Sequence, residues 1–213
     1  HTSLMIISGP EQSEVLGRTL DDAAGEALDK FGKRLGLAYP AGPQIDRLAR
    51  LGDAKRFDLP RGMTGRTDLA MSFSGLKTAG RQLIDRLISD GLVAEGQLLH
   101  DLCASYQDAV VAQLVSTTRR ALKQSGAKDL VIAGGVAANS QLRRDIAVMC
   151  EQLGVQLAAA APRWCTDNAA MIAGLGSSIL KSRGGDDPRL LDATASHRKS
   201  MPLVSSNAAR ARR

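Results

Sequence analysis

Aromatic residues are scarce in this sequence, which has three Phe, two Tyr and one Trp among its 213 residues. The hydrophobic share of 44% is nevertheless ordinary for a globular protein, so disorder over the whole length is excluded. The longest apolar-leaning run without charge, residues 168–180, is well short of the roughly 20 residues that span a bilayer. The composition therefore also excludes an integral membrane protein.

Cysteine and histidine are equally few, which limits disulfide and metal chemistry. Cys103, Cys150 and Cys165 form an odd set without a Cys-x-x-Cys spacing. This argues against a disulfide framework and a zinc–thiolate site, and it favours a reducing, cytoplasmic location. His100 and His197 lack the spacing of a metal pair, which excludes a self-contained His-based metalloprotease.

Positive charge is concentrated at the C-terminal end. The net charge is +6, but residues 198–213 hold five basic residues and no acid, so the remainder is nearly neutral. Such a tail can follow a phosphate backbone or simply keep a chain soluble, and charge alone does not separate the two. We predict that residues 183–213 form a basic loop or disordered tail.

The N-terminal end lacks both an initiator Met and a secretion signal, which needs a basic start followed by about 10 apolar residues. The sequence starts at His1, directly before a predicted strand. We expect that the start of the native protein is missing from it.

Hydrophobic periodicity predicts two strands and four helices in the first 126 residues. The strands are 3–7 and 14–19, and the helices are 21–35, 44–51, 76–88 and 96–126. Asp21 and Asp22 stand where they can cap the first helix and complement its dipole. Scattered Gly, Pro and Asp in residues 52–72 predict an exposed connection with at most one strand.

Strands and helices alternate between residues 128 and 180. The pattern predicts a buried strand at 128–133, a Gly134-Gly135 turn, and then a helix, a strand and a helix at 138–153, 155–160 and 168–180. Short links of this kind favour parallel strands with a right-handed crossover.

Two loops in this region are candidates for ligand binding. The glycine pair lets a ligand approach the backbone, and the following helix N-terminus favours a phosphate, which Asn139 can contact. The alternative is a tight turn in which Asn139 only caps the helix. Asp167 follows a strand, where it can ligate a metal ion or cap the last helix.

Acidic residues cluster on the first helix. Asp22, Glu26 and Asp29 are spaced by four and three residues and share one face. This costs stability unless cations or hydroxyl groups meet them, and a solvated face is the alternative. Lys77, in the first turn of the helix at 76–88, is unfavourable for the dipole, and no role follows for it from the sequence.

Six segments together resemble the TsaD family, also called Gcp or YgjD and once described as O-sialoglycoprotein endopeptidases. They occur in the family's order over residues 1 to about 180: HTSL, LDDAAGEALDK, LGLAYPAGP, SFSGLKTA, IAGGVAANSQLR and CTDNAAMIA. The resemblance implies an α/β fold of the actin, heat-shock-chaperone and sugar-kinase ATPase type (ASKHA), with a mixed sheet. Residues 1–182 look like its C-terminal lobe, with helical insertions at about 21–51 and 75–124, and the N-terminal lobe is absent.

The resemblance also implies an activity. The family transfers a threonylcarbamoyl group from threonylcarbamoyl-adenylate to N6 of the adenosine next to the anticodon, in tRNAs that read codons beginning with A. The implied partners are TsaB, TsaE and tRNA, with TsaC as the supplier of the adenylate.

Particular residues match the family's motifs. The positions that contact the substrate nucleoside correspond to Asp29, Gly42 and Asp46, and Asn139 would hold the adenylate. Asp167 matches a ligand of one divalent metal ion, iron or zinc, which the family completes with two histidines. His1 and Thr2 match the end of a loop near the phosphates.

The sequence departs from the family in two places. Ala41 replaces the first glycine of a Pro-Gly-Gly-Pro turn, and the HxEGH segment with both metal histidines is absent. We therefore expect this chain alone to bind metal and adenylate weakly and to catalyse nothing.

Three other functions compete with this activity. The older family name suggests a metal-dependent glycoprotein endopeptidase, but no general base beside a peptide groove is recognisable. A non-catalytic partner resembling TsaB is disfavoured because Asp167 and Asn139 are retained. A sugar-kinase-like ATPase should lack SFSGLKT and DDAAGEA.

Overall fold

The computed structural model describes residues 1–9, 12–62 and 68–185, and its chain starts with a β-hairpin. Strand β1 (Ser3–Gly9) pairs antiparallel with β2 (Gln12–Arg18). Both predicted strands are therefore confirmed. The predicted tail and His197 within it fall almost wholly in residues 186–213, outside the described residues.

The four helices predicted in the first 126 residues are all present, with ends shifted by up to three residues. They are α1 (Ala24–Arg34), α2 (Gly42–Ala49), α3 (Ser74–Ser89) and α4 (Gly96–Ser125). α2 starts earlier than predicted because Pro43 fits the first turn of a helix, where no backbone N–H is needed.

Helix α4 is the centre of the fold and packs against α1, α2, α3 and a further helix described below. The ring of Tyr106 stacks on Phe31 with 3.7 Å between centroids, and its hydroxyl donates to the carbonyl oxygen of Ala27. Gly80 on α3 lies so close that an added Cβ would be 2.8 Å from the Tyr106 ring. Two of the six aromatic residues thus pack where three helices meet.

The second half alternates as predicted, and its two strands are parallel. β3 (Asp129–Ile132) pairs with β4 (Gln156–Ala159), with Leu130 opposite Leu157. The helices are α5 (Ser140–Leu153), which packs on α4, and α6 (Ala169–Arg183), with 3₁₀ turns at Gly135–Ala138 and Pro162–Trp164.

Two expectations about these strands are wrong. β3 is not buried, since 69% of Val131 is exposed, because only one face of this small sheet is covered. The strands of the described residues form two separate two-stranded sheets rather than one mixed sheet. Each is too narrow to bury both of its faces.

The expected capping of α1 by Asp21 and Asp22 is also wrong, because Ala23 is the N-cap residue. Asp21 turns away and accepts hydrogen bonds from the backbone N–H of Phe73 and the hydroxyl of Ser72. It therefore joins the start of α1 to the start of α3. Nothing in the sequence near Asp21 indicates that its partner lies 52 residues further on.

The connection between α2 and α3 is less exposed than predicted. Leu59, Leu69 and Met71 are buried, and Met71 forms an isolated parallel bridge with Thr19 instead of a strand. The first part is tied to α4, because the Asp101 carboxylate accepts the N–H of Asp53 at 2.8 Å. This hydrogen bond, with a further one from Gln97, holds the pKa of Asp101 below its ordinary value.

The cysteines are buried and free of disulfides. Burial raises the pKa of the Cys103 thiol to about 12 and also raises that of Cys150, so both behave as small apolar residues. Across the described ranges, we find no helix with the length and apolarity required to cross a membrane.

Candidate functional site

A cleft of about 1130 Å³ lies where α1, the turn before α2 and the glycine turn after β3 converge. Its lining includes every residue that the resemblance assigned to substrate: Asp29, Gly42, Asp46 and Asn139. His1 and Thr2, at the end of the short segment before β1, also line it. Residues far apart in the sequence are thus brought to one surface.

Asp29 holds one wall of the cleft in place. Its Oδ1 accepts hydrogen bonds from the backbone N–H groups of Ala41 at 2.8 Å and Gly42 at 3.1 Å. Within the part of the chain that the structure describes, Oδ2 has no hydrogen-bond partner. One oxygen therefore shapes the turn, and the other is available to a ligand hydroxyl.

The turn itself shows why alanine is accepted at one of the two glycine positions. The methyl group of Ala41 is buried against Gly32 of α1, where an added Cβ would be only 2.3 Å from it. At Gly42 an added Cβ would have only Asp29 Oδ1 nearby, at 4.0 Å. The fold therefore does not require glycine at position 42, although a ligand in the cleft can.

Asp46 is almost entirely engaged in contacts within the protein. Its Oδ1 accepts from the backbone N–H and the hydroxyl of Ser140, and its Oδ2 pairs with Arg50. This joins α2 to the N-terminus of α5, where a negative charge is favourable. A substrate contact by Asp46 stays a prediction.

Asn139 is the N-cap of α5, as the alternative interpretation of the sequence proposed. Its Oδ1 accepts from the N–H of Leu142 at 2.9 Å, and its Nδ2 donates to Gln107 at 2.7 Å. The side chain is buried but lines the cleft, and Nδ2 has a second hydrogen that a ligand can accept.

The expectation that the N-terminus of α5 presents unpaired N–H groups to a phosphate needs correction. Asp46 takes the N–H of Ser140, and Asn139 takes that of Leu142. The glycine turn remains an open approach: Gly134 has a φ of 88°, which favours glycine, and Gly135 lines the cleft.

Cations meet two of the three clustered acidic residues, Asp22 and Glu26. Lys30 pairs with Asp22 and Glu26, and Lys77 pairs with Asp22. Hydrogen bonds from both lysines hold the pKa of Asp22 below its ordinary value. Lys77, for which no role followed from the sequence, thus joins α3 to the start of α1, as Asp21 also does.

Asp167 is exposed beside Thr166, which lines the cleft, and it does not cap α6, because Asn168 does. No group of three or more His, Cys, Asp or Glu residues that suits a metal ion occurs within residues 1–9, 12–62 and 68–185. The neighbouring thiol of Cys165 points to the carbonyl oxygens of Ala160 and Ala161. The residues present therefore do not make a complete metal site, and Asp167 as a ligand stays a prediction.

Three cleft features escaped the sequence reasoning: Lys33 and Tyr39, which line the cleft, and Gln107, which contacts Asn139. A signal for Gln107 was available, since it is a polar residue on the apolar face of a predicted core helix. Nothing in the sequence distinguishes Lys33 from an ordinary surface residue, whereas Tyr39 lies within LGLAYPAGP, one of the six segments that carry the resemblance.

The geometry defines a class of protein: an α/β protein with a ligand cleft at the carboxyl end of a parallel strand, where such folds bind their ligands. The chain belongs to the TsaD family, described as tRNA N6-adenosine threonylcarbamoyltransferase, whose sequence profile matches residues 1–174. The resemblance inferred from the six segments is thereby confirmed, and the family is one of tRNA-modifying transferases.

Proposed function

We propose that this chain forms the substrate cleft of an enzyme that transfers a threonylcarbamoyl group from threonylcarbamoyl-adenylate to N6 of the adenosine next to the anticodon, in tRNAs reading codons that begin with A. The observation that carries this proposal is the convergence of Asp29, Gly42 and Asn139 on one cleft in a TsaD family member. The chain then corresponds to the C-terminal lobe of an ASKHA-like fold, working in the cytoplasm with TsaB and TsaE, and TsaC supplies the adenylate.

The reaction needs positioning more than side-chain chemistry. The N6 amine attacks the carbamoyl carbon, the bond from that carbon to the phosphate oxygen breaks, and AMP leaves with the electron pair while N6 loses a proton. Because the mixed anhydride is already activated, no protein nucleophile is needed. Holding two reactants in contact can supply about 7–11 kcal/mol of the barrier reduction.

The cleft residues have distinct roles in this proposal. Asp29 Oδ2 accepts a hydroxyl of the adenylate ribose, the open surface at Gly42 admits the nucleoside, and Asn139 donates to an acceptor on the adenylate. These contacts orient the anhydride toward the entering amine. Asp167, if it binds a metal, does so with ligands from outside the described residues.

The test is an assay of the modified nucleoside by mass spectrometry, using an unmodified tRNA transcript and threonylcarbamoyl-adenylate. Both this chain and the complete product of its gene are assayed, with and without TsaB and TsaE. Modification by the complete product supports the proposal. Its absence with every partner present would refute it, and a peptide product instead would favour the endopeptidase.

Changing Gly42 to alanine should separate binding from folding. We expect the free energy of unfolding to stay the same or rise by about 0.5 kcal/mol, because an added Cβ has space and the unfolded chain loses freedom. The KM for the adenylate should rise about 10-fold, since the methyl group occupies the ligand's approach. Urea unfolding and steady-state kinetics measure the two effects; an unchanged KM would remove Gly42 from the site.

A further inference from the structure

Tyr39 is an aromatic residue presented to solvent at the edge of the cleft. Its side chain is 86% exposed, although the sequence has few aromatic residues and the cores of most proteins take them up. An exposed ring on a rigid support is the feature by which proteins stack unpaired nucleobases.

The support for Tyr39 is rigid on both sides. The Nε2 of Gln44 donates to the carbonyl oxygens of Ala38 and Pro40, and the Asp29 carboxylate holds the next N–H, that of Ala41. The ring is therefore exposed on a fixed turn, and little ordering entropy is lost when a base stacks on it.

The cleft that Tyr39 lines also holds a positive charge. Lys33 is exposed, lines the same cleft, and forms no salt bridge within the described ranges, whereas Lys30 is paired with two acids. An ammonium group without a salt bridge and an exposed ring in one cleft suit a single-stranded RNA, because the cation can meet a phosphate and the ring can stack a base.

We propose that Tyr39 and Lys33 form an RNA-docking edge, at which Tyr39 stacks a base of the anticodon loop and Lys33 contacts its backbone. This rests on the proposed function, because that function makes tRNA the acceptor. It predicts that the edge contributes to RNA binding and not to adenylate binding.

The experiment measures the fluorescence anisotropy of a labelled, unmodified anticodon stem-loop. Tyr39→Ala should weaken binding about 5- to 100-fold, as expected for one lost base stack, while Tyr39→Phe stays near wild type. Lys33→Gln should lower the slope of log K against log salt by about one. Ile88→Ala, which removes an exposed apolar side chain outside the cleft, is the control.

The outcomes separate this inference from the proposed function. If Tyr39→Ala binds the stem-loop as tightly as wild type does, the docking edge is refuted, even when the protein modifies tRNA. If Tyr39→Ala and Ile88→Ala weaken binding equally, stacking is also refuted. Selective weakening supports the edge whether or not transfer is observed.

An independent observation concerns a chain of hydrogen bonds that ends at Asn139. Asn139 Nδ2 donates to Gln107 Oε1, Gln107 Nε2 donates to Gln141 Oε1 at 3.2 Å, and Gln141 Nε2 donates to Asp108 at 2.8 Å. The other oxygen of Asp108 pairs with Arg61 at 2.8 Å.

The direction in which these hydrogen bonds are donated is fixed at both ends of the series. At one end the N–H of Leu142 can only donate, so it requires the oxygen of the Asn139 amide. At the other end the Asp108 carboxylate, whose other oxygen pairs with Arg61, can only accept, so it requires the nitrogen of Gln141. No amide between them can flip without breaking two hydrogen bonds.

We infer that Gln107 is a positioning residue, which holds the Asn139 amide so that its second N–H is available to the ligand in the cleft. Gln107 is itself buried on α4 and does not line the cleft. Its effect on the ligand is therefore exerted through Asn139.

The test compares Gln107→Leu, which removes the acceptor, with Gln113→Leu, the same exchange at another buried glutamine of α4, which does not line the cleft. Calorimetric titration with AMP should give about a 10-fold higher Kd for Gln107→Leu and a nearly wild-type Kd for Gln113→Leu. Transfer assays should show the same split in the KM for the adenylate, while the KM for tRNA is unchanged.

A purely structural role predicts a different result. Lost folding would reduce the number of AMP sites in the titration without changing the Kd of those that remain. If Gln107→Leu does not fold, Gln141→Met, at a half-exposed position, interrupts the same chain and takes its place. Unchanged affinity in the folded variant, or equal losses in Gln107→Leu and Gln113→Leu, would refute the inference.

Discussion

Asp29→Asn should lower kcat/KM for the adenylate about 10- to 100-fold while leaving the fold almost intact. Both backbone N–H groups of the turn bond to Oδ1, which an asparagine retains as its amide oxygen. The substitution replaces Oδ2 with an NH₂ group, so a ribose hydroxyl loses a charged acceptor, an interaction worth about 1.5–3 kcal/mol.

The matched variant is Asp29→Ala, which removes both oxygens. It leaves the N–H groups of Ala41 and Gly42 without their acceptor, and we expect a loss of about 1–3 kcal/mol in the free energy of unfolding. In urea unfolding, the free energy of unfolding of Asp29→Asn should therefore be close to that of wild type, and that of Asp29→Ala well below it. Both variants should have a low kcat/KM. Wild-type kinetics in Asp29→Asn would show that Asp29 serves the turn alone.

Local sequence patterns predicted the helices and strands of this fold well. The apolar spacing in residues 96–126 reflects the burial of α4 on several sides, and the glycine pair marks the turn after β3. Exposure was harder to predict, because an apolar run such as that of β3 looks alike whether one face or two are covered. The exposure of Val131 depends on how many strands lie beside β3.

The partners of charged residues could not be predicted from sequence neighbours. Asp46 meets Ser140, 94 residues further on, and Lys77 meets Asp22 across 55 residues. The sequence made Lys77 unfavourable at a helix start only because it does not show that Asp22 is its counter-ion. Capping by Asn139 was foreseen as an alternative because its partner, Leu142, lies within one helical turn.

The candidate site, too, was only partly predictable from the sequence. No spacing rule places Asp29, Gly42 and Asn139 together, and the expectation that they share a ligand came from the resemblance to the family. The structure adds what the resemblance does not contain, namely which oxygen of Asp29 is engaged and which amide hydrogen of Asn139 is available. Those details decide which substitutions are informative.

Gly52→Ala should be among the most destabilising single substitutions in this chain. An added Cβ would lie 2.1 Å from the carbonyl oxygen of His100, 2.3 Å from its carbonyl carbon and 2.7 Å from the nitrogen of Asp101. All three are backbone atoms of α4, the helix on which the other helices pack, so no side-chain rotation relieves the overlap.

The loop cannot move away either, because it is tied on both sides of Gly52. Gln97 Nε2 donates to the carbonyl oxygen of Leu51, and Asp101 accepts the N–H of Asp53. Relief requires breaking these hydrogen bonds or displacing α4, and we expect the free energy of unfolding to fall by about 3 kcal/mol or more.

Gly75→Ala is the matched control, because an added Cβ meets nothing within 4 Å in the first turn of α3. It should stabilise the protein by about 0.5–1 kcal/mol, the ordinary gain from replacing a helical glycine. Urea unfolding followed by circular dichroism compares the two variants directly. A loss of less than about 1 kcal/mol in Gly52→Ala would mean that the loop yields more easily than its hydrogen bonds to α4 imply.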